Sequence, residues 1–199
     1  MSMHSEDVQS FNRRAGSYEQ GFTQRLFFDR LHAIALQAVL PGFRPESILD
    51  VGCGTGRLLR KAAARWPDAH LSGIDPAEGM VEQARLRTPG AEFHVSLVET
   101  LALPDACADL VFSTASFHHW QDQQQGLIQI ARVLRPGGVF VLVDLLMPLG
   151  IGRLHPHGRQ TAPAQVREMF ARAGLKVQSQ RRVMTWFILV TMGQKIPAE

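Results

Sequence analysis

Three glycines stand close together in the segment Asp50-Val51-Gly52-Cys53-Gly54-Thr55-Gly56, directly after a short apolar run. Glycine adopts backbone conformations that other residues avoid, and it lets a small ligand lie against bare backbone. The spacing argues against two nucleotide-binding loops. A dinucleotide fingerprint requires a small residue where this chain has Arg57, and a Walker loop ends in Gly-Lys-Ser/Thr. A tight turn between a strand and a helix is the structural alternative.

A second acidic residue, Asp75, ends the next apolar run, in "HLSGIDPAEGM". A carboxylate at that place can accept hydrogen bonds from both hydroxyls of a ribose. The alternative is an N-cap for a helix that begins at Pro76, since Asp before Pro is a favourable helix start. The glycine segment and Asp75 together favour a ligand that contains adenosine.

Two adjacent histidines, His118 and His119, follow a third apolar run in the segment "SFHHW". An imidazole of near-neutral pKa can take a proton from a phenol, a hydroxyl group or an amine. Alternatively, these side chains pack against a bound ligand or cap the helix that is predicted to begin near Asp122.

The elements that position these residues alternate between β-type runs and amphipathic helices. Two helices precede Pro41-Gly42, and further helices separate most of the later strands. The predicted strands are Ser47–Val51, His70–Ile74, Glu92–Ser96, Leu110–Thr114, Val139–Leu145, Leu175–Val183 and Met184–Gln194. Such alternation predicts an α/β sandwich around a mostly parallel sheet, closed by a hairpin of the last two strands. Ligands of such sheets bind at the carboxyl ends of the strands, where the candidate residues lie.

Composition narrows the function classes. The chain has 199 residues, a length that suits one domain with a small appendage. Its net charge is only +3. Its basic residues are scattered, whereas a nucleic-acid surface would cluster them with aromatic residues. Two cysteines form neither a disulfide framework nor a metal-binding spacing, and no metal is expected. No apolar run has the length of a signal sequence core or a membrane span, so we expect a cytoplasmic protein.

Four segments resemble the class I S-adenosylmethionine-dependent methyltransferases in order and spacing: "LDVGCGTG", "GIDPAEGM", "LALPDACADLVFSTASFHHW" and "IARVLRPGGVFVLVD". They look most like the small-molecule branch that includes the ubiquinone and menaquinone biosynthesis enzymes. The resemblance extends from about Phe11 to Ala173. It implies a Rossmann-like sandwich with helices on both faces of a seven-stranded sheet of order 3-2-1-4-5-7-6, whose last strand is antiparallel. Residues 1–42 would form a helical lid, and residues 43–199 the domain that binds S-adenosylmethionine.

The resemblance also implies roles for individual residues. Asp50 would hold the methionine amino group, Asp75 the ribose hydroxyls, and Met80 would pack on the adenine. The remaining residues implied to bind the cofactor are Tyr18, Gly52, Cys53, Gly54, Pro76, Val98, Glu99, Thr114 and Ala115. Leu97 stands where the family commonly has an acid, which leaves the Val98 N–H to serve the adenine ring.

Proton transfer would fall to residues beside the transferred methyl group. The family often keeps a histidine at the place of His119, which makes it the first candidate for a base, before His118. Tyr18 belongs to an element similar to the family's N-terminal F-x-x-x-A-x-x-Y motif, and its hydroxyl would reach the methionine end or the acceptor. The alternative is that Tyr18 only seals the core.

The expected activity is methyl transfer from S-adenosylmethionine to a small organic acceptor, with S-adenosylhomocysteine as product. The acceptor pocket would combine the N-terminal lid with the segment Leu146–Gln160, and a second copy of the chain would complete it if it is open. The rival functions are a cofactor-binding module without turnover and a nucleic-acid methyltransferase. The nucleic-acid function is disfavoured because the fourth strand ends in Ser-Thr-Ala-Ser. Methyltransferases that act on the amino groups of adenine or cytosine have an Asn/Asp-Pro-Pro-Tyr/Phe motif at this place.

Overall fold

The computed structural model describes residues 3–145, 162–184 and 187–197. Within these residues, seven strands and six α-helices alternate through most of the sequence, as the sequence predicts. The strands are β1 (Ser47–Val51), β2 (His70–Asp75), β3 (Glu92–Val95), β4 (Ala108–Thr114), β5 (Leu134–Leu145), β6 (Leu175–Val183) and β7 (Ile188–Lys195). The helices are α1 (Met3–Arg14), α2 (Phe22–Ala38), α3 (Arg57–Arg65), α4 (Glu78–Arg87), α5 (Gln123–Val133) and α6 (Pro163–Arg172).

The strands form one sheet of order β3-β2-β1-β4-β5-β7-β6, which confirms the predicted order. The first five strands pair in parallel. Strand β7 runs antiparallel to both β5 and β6, as expected for the last strand. The carboxyl ends of β1, β2 and β4 therefore meet at one edge of the sheet, on either side of the point where the strand order reverses.

Two apolar layers enclose the sheet, because successive residues of a strand point to opposite faces. On one face, Ile48 of β1 and Phe112 of β4 pack in a cluster with residues of α2, α3 and α4. On the other face, Leu49 and Phe140 pack with residues of α5 and α6. The long apolar run of β5 is buried along its length, which is typical of a strand covered on both faces.

Some boundaries differ from the sequence predictions. Strand β5 begins at Leu134, which pairs with Ala108 before a register shift in the ladder, so the predicted start at Val139 is five residues late. The predicted strand from Met184 begins only at Ile188, because Met184 has a left-handed backbone with a φ of 51°. A left-handed residue does not continue a β-strand.

The N-terminal helices are joined to the sandwich by specific contacts. The Gly79 N–H at the start of α4 donates to Asn12 Oδ1 of α1 (2.9 Å), and Ala15 packs against Met80. Asp29 of α2 accepts hydrogen bonds from Arg57 (2.6 Å) and Lys61 of α3. The segment Leu146–Gln160, expected to contribute to an acceptor pocket, lies outside the described residues. Within the described part of the chain, no helix has the length and apolar character needed to cross a membrane.

Candidate functional site

A cavity opens at the carboxyl ends of β1, β2 and β4, between the sheet edge and the N-terminal helices. It contains about 810 Å³ of empty space, part of which is open solvent, and it is concave and mostly lined by apolar and backbone surface, as ligand sites are. Its lining residues are Phe11, Tyr18, Glu19, Phe28, His32, Gly52, Cys53, Gly54, Thr55, Arg57, Asp75, Pro76, Met80, Thr114, Ala115, Ser116 and His119. Ten of the residues expected in a binding or catalytic role are in this set.

The glycine loop forms the floor of the cavity. Gly52 and Gly54 have left-handed backbones with φ of 74° and 52°. A Cβ atom on Gly52 would lie 2.0 Å from Ser116 Oγ, which no real contact tolerates, whereas a Cβ atom on Gly54 would meet nothing within 4 Å. Gly52 is thus required for close approach to the β4 loop, and the open space at Gly54 leaves its backbone accessible to a ligand.

Asp75 holds the glycine loop and the start of α4 together. One carboxyl oxygen accepts the Gly54 N–H and the other accepts the Ala77 N–H, both at 2.9 Å. The N-cap position of α4 belongs to Ala77, so Asp75 does not cap the helix as the alternative proposed. Burial raises the pKa of Asp75 to about 6, although these two hydrogen bonds oppose the shift. Each oxygen keeps a further lone pair for a ligand hydroxyl.

Asp50 lies beneath the glycine loop and does not line the cavity. Its side chain is 1% exposed, and its Oδ1 atom has no hydrogen-bond partner among the described residues. Burial, reinforced by the charge of Asp75, raises the pKa of Asp50 to about 8. A buried oxygen without a partner is costly unless a ligand satisfies it.

The two histidines occupy different environments after β4. His118 is held by Asp144 at the end of β5: its ring Nδ1 lies 2.7 Å from Oδ1, and its backbone N–H donates to Oδ2 at 2.8 Å. His119 faces the cavity, and its Nδ1 lies 3.1 Å from Asp7 Oδ2 of α1. The ring centroids of the two histidines are 4.0 Å apart. Only His119 is thus placed to contact a ligand in the cavity.

The surroundings shift the pKa values of the two rings in opposite directions. Burial lowers the pKa of His118, but Asp144 outweighs this effect and the net shift is upward. Burial and the neighbouring His118 lower the pKa of His119 to about 4, against the opposing influence of Asp7. His119 is therefore a neutral imidazole near pH 7, the protonation state that a base requires. Its pKa lies below the near-neutral value expected from the sequence, which makes it a weaker base than a free imidazole.

The N-terminal segment closes the cavity from above. The Tyr18 ring contacts Phe28 of α2 at a centroid distance of 5.9 Å and Phe11 of α1 at 6.3 Å. Behind this aromatic wall, Glu19 accepts hydrogen bonds from the Thr55 hydroxyl and from Arg60 (2.7 Å). Glu19 is thus the point at which the N-terminal segment is tied to the glycine loop.

Several expected residues lie elsewhere, and several lining residues carried no sequence signal. Val98 is buried in the core, and Glu99 accepts the backbone N–H groups of Gln121 (2.7 Å) and Asp122, so neither lines the cavity. His32 lines it without being predicted. It is 6% exposed, and its Nδ1 has no partner among the described residues. His32 lies three residues after Asp29 on α2, so the two side chains share one face of the helix. This spacing was the sequence signal that could have identified His32.

Ala115 marks the cavity edge with an unusual backbone. Its φ is 51°, and its N–H donates to the Val143 carbonyl at 2.8 Å. A left-handed alanine is sparsely populated, and such residues concentrate at functional sites. Across residues 3–145, 162–184 and 187–197, no group of three or more histidine, cysteine or acidic side chains has the arrangement of a metal site.

Comparison with known proteins agrees with this geometry. Residues 49–142 match a family model described as a methyltransferase domain. A malonyl-[acyl-carrier protein] O-methyltransferase of Dechloromonas aromatica is 36% identical over 137 residues, which is 69% of this chain and 49% of the relative. A probable S-adenosylmethionine-dependent methyltransferase of Mycolicibacterium smegmatis is 30% identical over 166 residues, which is 79% of this chain and 63% of the relative. The chain thus spans about half to two thirds of the length of these relatives.

Among solved structures, the methyltransferase in complex with the Trm112 methyltransferase activator of Haloferax volcanii superposes with a TM-score of 0.82. The superposition covers 94% of this chain and 97% of that chain at 23% identity, which shows the fold. Sheet order, glycine loop and cavity together define a class I methyltransferase fold. With the match of its central domain, the chain belongs to the class I S-adenosylmethionine-dependent methyltransferases.

Proposed function

We propose that the protein transfers a methyl group from S-adenosylmethionine to a small organic acceptor. One observation carries the proposal: a single cavity brings together the glycine loop, the ribose-binding candidate Asp75 and a neutral histidine, His119. The matching relatives include a 27-O-demethylrifamycin SV methyltransferase and a trans-aconitate 2-methyltransferase, whose named acceptors are small molecules, which supports transfer to a small acceptor.

The residues at the cavity fit the cofactor. The unpartnered Oδ1 of Asp50 is a buried acceptor that the methionine ammonium group would satisfy, by a direct or relayed hydrogen bond. Gly54 leaves room for the ligand where a side chain would stand. Asp75 would accept the ribose hydroxyls, while the fully buried Met80 would form an apolar surface for the adenine.

The other residues expected to contact the cofactor are supported only by their position. Cys53, Pro76, Thr114 and Ala115 line the cavity, so each is available to a bound cofactor. Val98 and Glu99 would contribute to the adenine site only through their backbone, because their side chains serve the core and the α5 start.

When bound, S-adenosylmethionine supplies a sulfonium-activated methyl group. The chain itself has three tasks. The cavity walls bring the acceptor into line with the methyl–sulfur bond, and orientation of this kind is worth effective molarities of ~10⁵–10⁸ M. Phe11, Tyr18 and Phe28 exclude water from above. His119 takes a proton from the acceptor, and Tyr18, which also lines the cavity, is the other candidate for that role. His118, the second histidine expected from the sequence, does not line the cavity and is not placed for it.

Acceptor choice and assembly extend this proposal. Phe11, Phe28 and His32, which line the cavity, would contact the acceptor. A second copy of the chain is the partner we propose to complete the pocket, in a homodimer. Cys53 and Cys107 are both free thiols, which accords with a reducing cytoplasmic setting.

Calorimetric titration with S-adenosylmethionine, S-adenosylhomocysteine and NAD tests which cofactor the protein binds. We expect the two sulfur nucleosides to bind and NAD not to bind. Asp75→Ala should weaken binding of both sulfur nucleosides by at least tenfold, the factor that one hydrogen-bonding charge of 1.5–3 kcal/mol supplies. Asp68→Ala is the matched control, because Asp68 is exposed and lies in the turn before β2.

A radiolabelled-methyl screen over a panel of hydroxyl, amine, thiol and carboxylate metabolites would then identify the acceptor. His119→Ala should lower turnover while cofactor affinity stays nearly unchanged. Tight cofactor binding without transfer to any acceptor would contradict the enzyme proposal and favour a binding module. Binding of NAD, without binding of either sulfur nucleoside, would show that S-adenosylmethionine is not the cofactor.

A further inference from the structure

Two residues of the first helix hold the imidazole of His119. Asp7 Oδ2 lies 3.1 Å from His119 Nδ1, and the Phe11 ring meets the imidazole edge to face at a centroid distance of 5.5 Å. Asp7 and Phe11 are four residues apart on α1, and therefore on the same face of the helix. The Asp7 and His119 side chains are only 18% and 22% exposed, so this contact is largely shielded from water.

The position of Asp7 does not depend on His119 alone. Asn12 of the same helix binds the Gly79 N–H, and Ala15 packs against Ala77 and Met80 of the α4 region. Glu19, just beyond, is tied to Thr55 and Arg60. Three contacts on the far side of the cavity thus fix α1 where its carboxylate meets the imidazole.

The hydrogen bond determines which ring nitrogen is bare. A carboxylate oxygen accepts, so Nδ1 of His119 must donate to Asp7. The other nitrogen, Nε2, then carries a lone pair and no proton in the neutral ring. An acidic side chain that fixes the tautomer of a histidine base in this way is a recurring arrangement in catalysis.

We propose that Asp7 is a positioning residue for His119 and that the acceptor bears a proton that must be removed, such as a hydroxyl, a phenol or an amine. This inference rests on the proposed methyl transfer. A carboxylate acceptor is already ionised near neutral pH and needs no base. An oriented imidazole is useful only for an acceptor that must lose a proton.

A hydroxyl group is the simplest acceptor of this class. The acceptor oxygen forms a bond to the methyl carbon with its own electron pair while its proton passes to His119 Nε2. The methyl–sulfur bond breaks and its electron pair stays on sulfur, so S-adenosylhomocysteine leaves as a neutral thioether. The imidazolium that forms is stabilised by Asp7, and the proton then passes to solvent.

Among the described residues, the ionisable groups that act on His119 are Asp7 from α1, His118 from its own turn and Asp144 from β5. His118 is engaged with Asp144, whose carboxylate raises the pKa of that ring. Asp7 is the carboxylate in direct contact with His119. Removing Asp7 should therefore change the tautomer of His119. It also removes a smaller contribution that raises the pKa of His118, while the hydrogen bond between His118 and Asp144 remains.

Nitrogen-15 NMR of the histidine rings tests the positioning role on the whole protein without cofactor. The His119 signals are assigned by their loss in His119→Gln. At pH 7 we expect the wild-type ring to be neutral with Nδ1 protonated, and Asp7→Ala to shift it to the Nε2-protonated tautomer. Glu6→Ala is the control, because Glu6 is an exposed acid on the same helix. An unchanged tautomer in Asp7→Ala would overturn the proposal.

Kinetics test the consequence for the reaction. With the acceptor found by the methyl screen, Asp7→Ala and Asp7→Asn should lower kcat by roughly 10–100-fold, part of the ~10²–10⁴ that a general base contributes. The KM for S-adenosylmethionine should not change. Adding Asp7→Ala to His119→Ala should cost nothing further, because the two residues act as a unit.

The possible outcomes separate the two proposals. If the wild-type protein methylates an acceptor and Asp7→Ala matches it in kcat, the role of Asp7 is wrong while methyl transfer stands. If the screen finds only carboxylate acceptors, the proposed acceptor class is wrong. If no acceptor is methylated, the proposed function fails, and the NMR tautomer still decides whether Asp7 orients His119.

Discussion

Asp50 and Asp75 are two buried carboxyl groups at the ends of adjacent parallel strands, and the negative charge on one disfavours ionisation of the other. Asp50 is 1% exposed, and burial together with the charge on Asp75 raises its pKa to about 8. Burial raises the pKa of Asp75 to about 6. The protein therefore holds a protonated Asp50 near neutral pH until a cation reaches it.

This pair predicts that stability falls with rising pH. A buried acid with a raised pKa binds its proton more tightly in the folded state, so its stabilising effect is complete below the unfolded pKa near 4 and is lost as pH rises toward 8. Each such group contributes up to about 1.4 kcal/mol per pH unit inside that window. Asp50→Asn should therefore show a shallower decline than the wild type.

Urea unfolding at pH 5, 6.5 and 8 measures this difference. Asp68→Asn is the control, because Asp68 is exposed and should leave the wild-type slope intact. Equal slopes for the wild type and Asp50→Asn would show that Asp50 is ionised at neutral pH in the folded protein.

Gly52→Ala should be destabilising through two effects that a matched variant separates. Gly52 has a φ of 74°, and its Cβ would lie 2.0 Å from Ser116 Oγ. Gly42 has a similar φ of 83° with nothing within 4 Å, so Gly42→Ala isolates the backbone strain of about 1–2 kcal/mol. We expect Gly52→Ala to unfold at lower urea than Gly42→Ala and to lose cofactor binding.

The double variant Gly52→Ala/Ser116→Gly removes the atom with which the new methyl group collides. It should be more stable than Gly52→Ala once compared with Ser116→Gly alone, the single variant that accounts for losing the hydrogen bond from Trp120 Nε1 to Ser116 Oγ (3.2 Å). If Gly52→Ala alone is no worse than Gly42→Ala, the β4 loop is free to move away and the close approach is not a constraint.

His32 predicts the opposite pH dependence from Asp50. Burial, followed by the charges of Lys61 and Arg57, lowers the pKa of His32 to about 3. The unfolded state then binds the proton more readily, so stability is complete above about pH 6.5 and is lost as pH falls toward 3. His32→Leu should lose less stability than the wild type between pH 6.5 and 4.5.

Thermal unfolding at these pH values, with His70→Leu as control, checks this prediction. His70 has a side chain that is 57% exposed, so its replacement should leave the acid sensitivity unchanged. An identical acid response in wild type and His32→Leu would contradict a neutral, buried His32.

Most of the fold was accessible from the sequence because the buried strands and striped helices have clear periodicity. Strand β1 was predicted at its observed bounds, and the apolar run of β5 identified a central strand. The sheet order came from the resemblance, since periodicity alone does not order strands. The turn at Met184 was missed, because its left-handed backbone follows from tertiary context.

The floor of the site, formed by the glycine loop and the strand ends, was predictable from the sequence. Its roof, formed by the N-terminal segment, was predictable only in part. Motifs predicted the cavity residues Gly52, Gly54 and Asp75, since glycine spacing and strand ends are local signals. The roof contacts join segments far apart in the chain, such as Asp7 with His119. No local pattern records such a partner. Glu99 had a local signal, but its carboxylate binds the start of α5 and does not line the cavity.

Glu19 provides the last prediction, because it joins the N-terminal segment to the glycine loop. Burial raises its pKa, but hydrogen bonds from Thr55 and Arg60 outweigh burial and lower it overall. The link therefore persists above pH 4.5 and weakens as pH falls below it. Glu19→Gln should weaken the attachment of α1 and α2 by roughly 1–3 kcal/mol, the range for a hydrogen-bonded charge.

Hydrogen exchange read by mass spectrometry measures the attachment directly. Peptides from α1 and α2 should exchange faster in Glu19→Gln, while β4 and β5 keep their protection because the sheet core does not depend on this contact. Glu6→Gln removes a charge from the exposed face of α1 and should exchange like the wild type. Faster exchange throughout the sheet would mean that Glu19 supports the whole fold, and unchanged exchange in α1 and α2 would mean that other contacts hold the N-terminal segment in place.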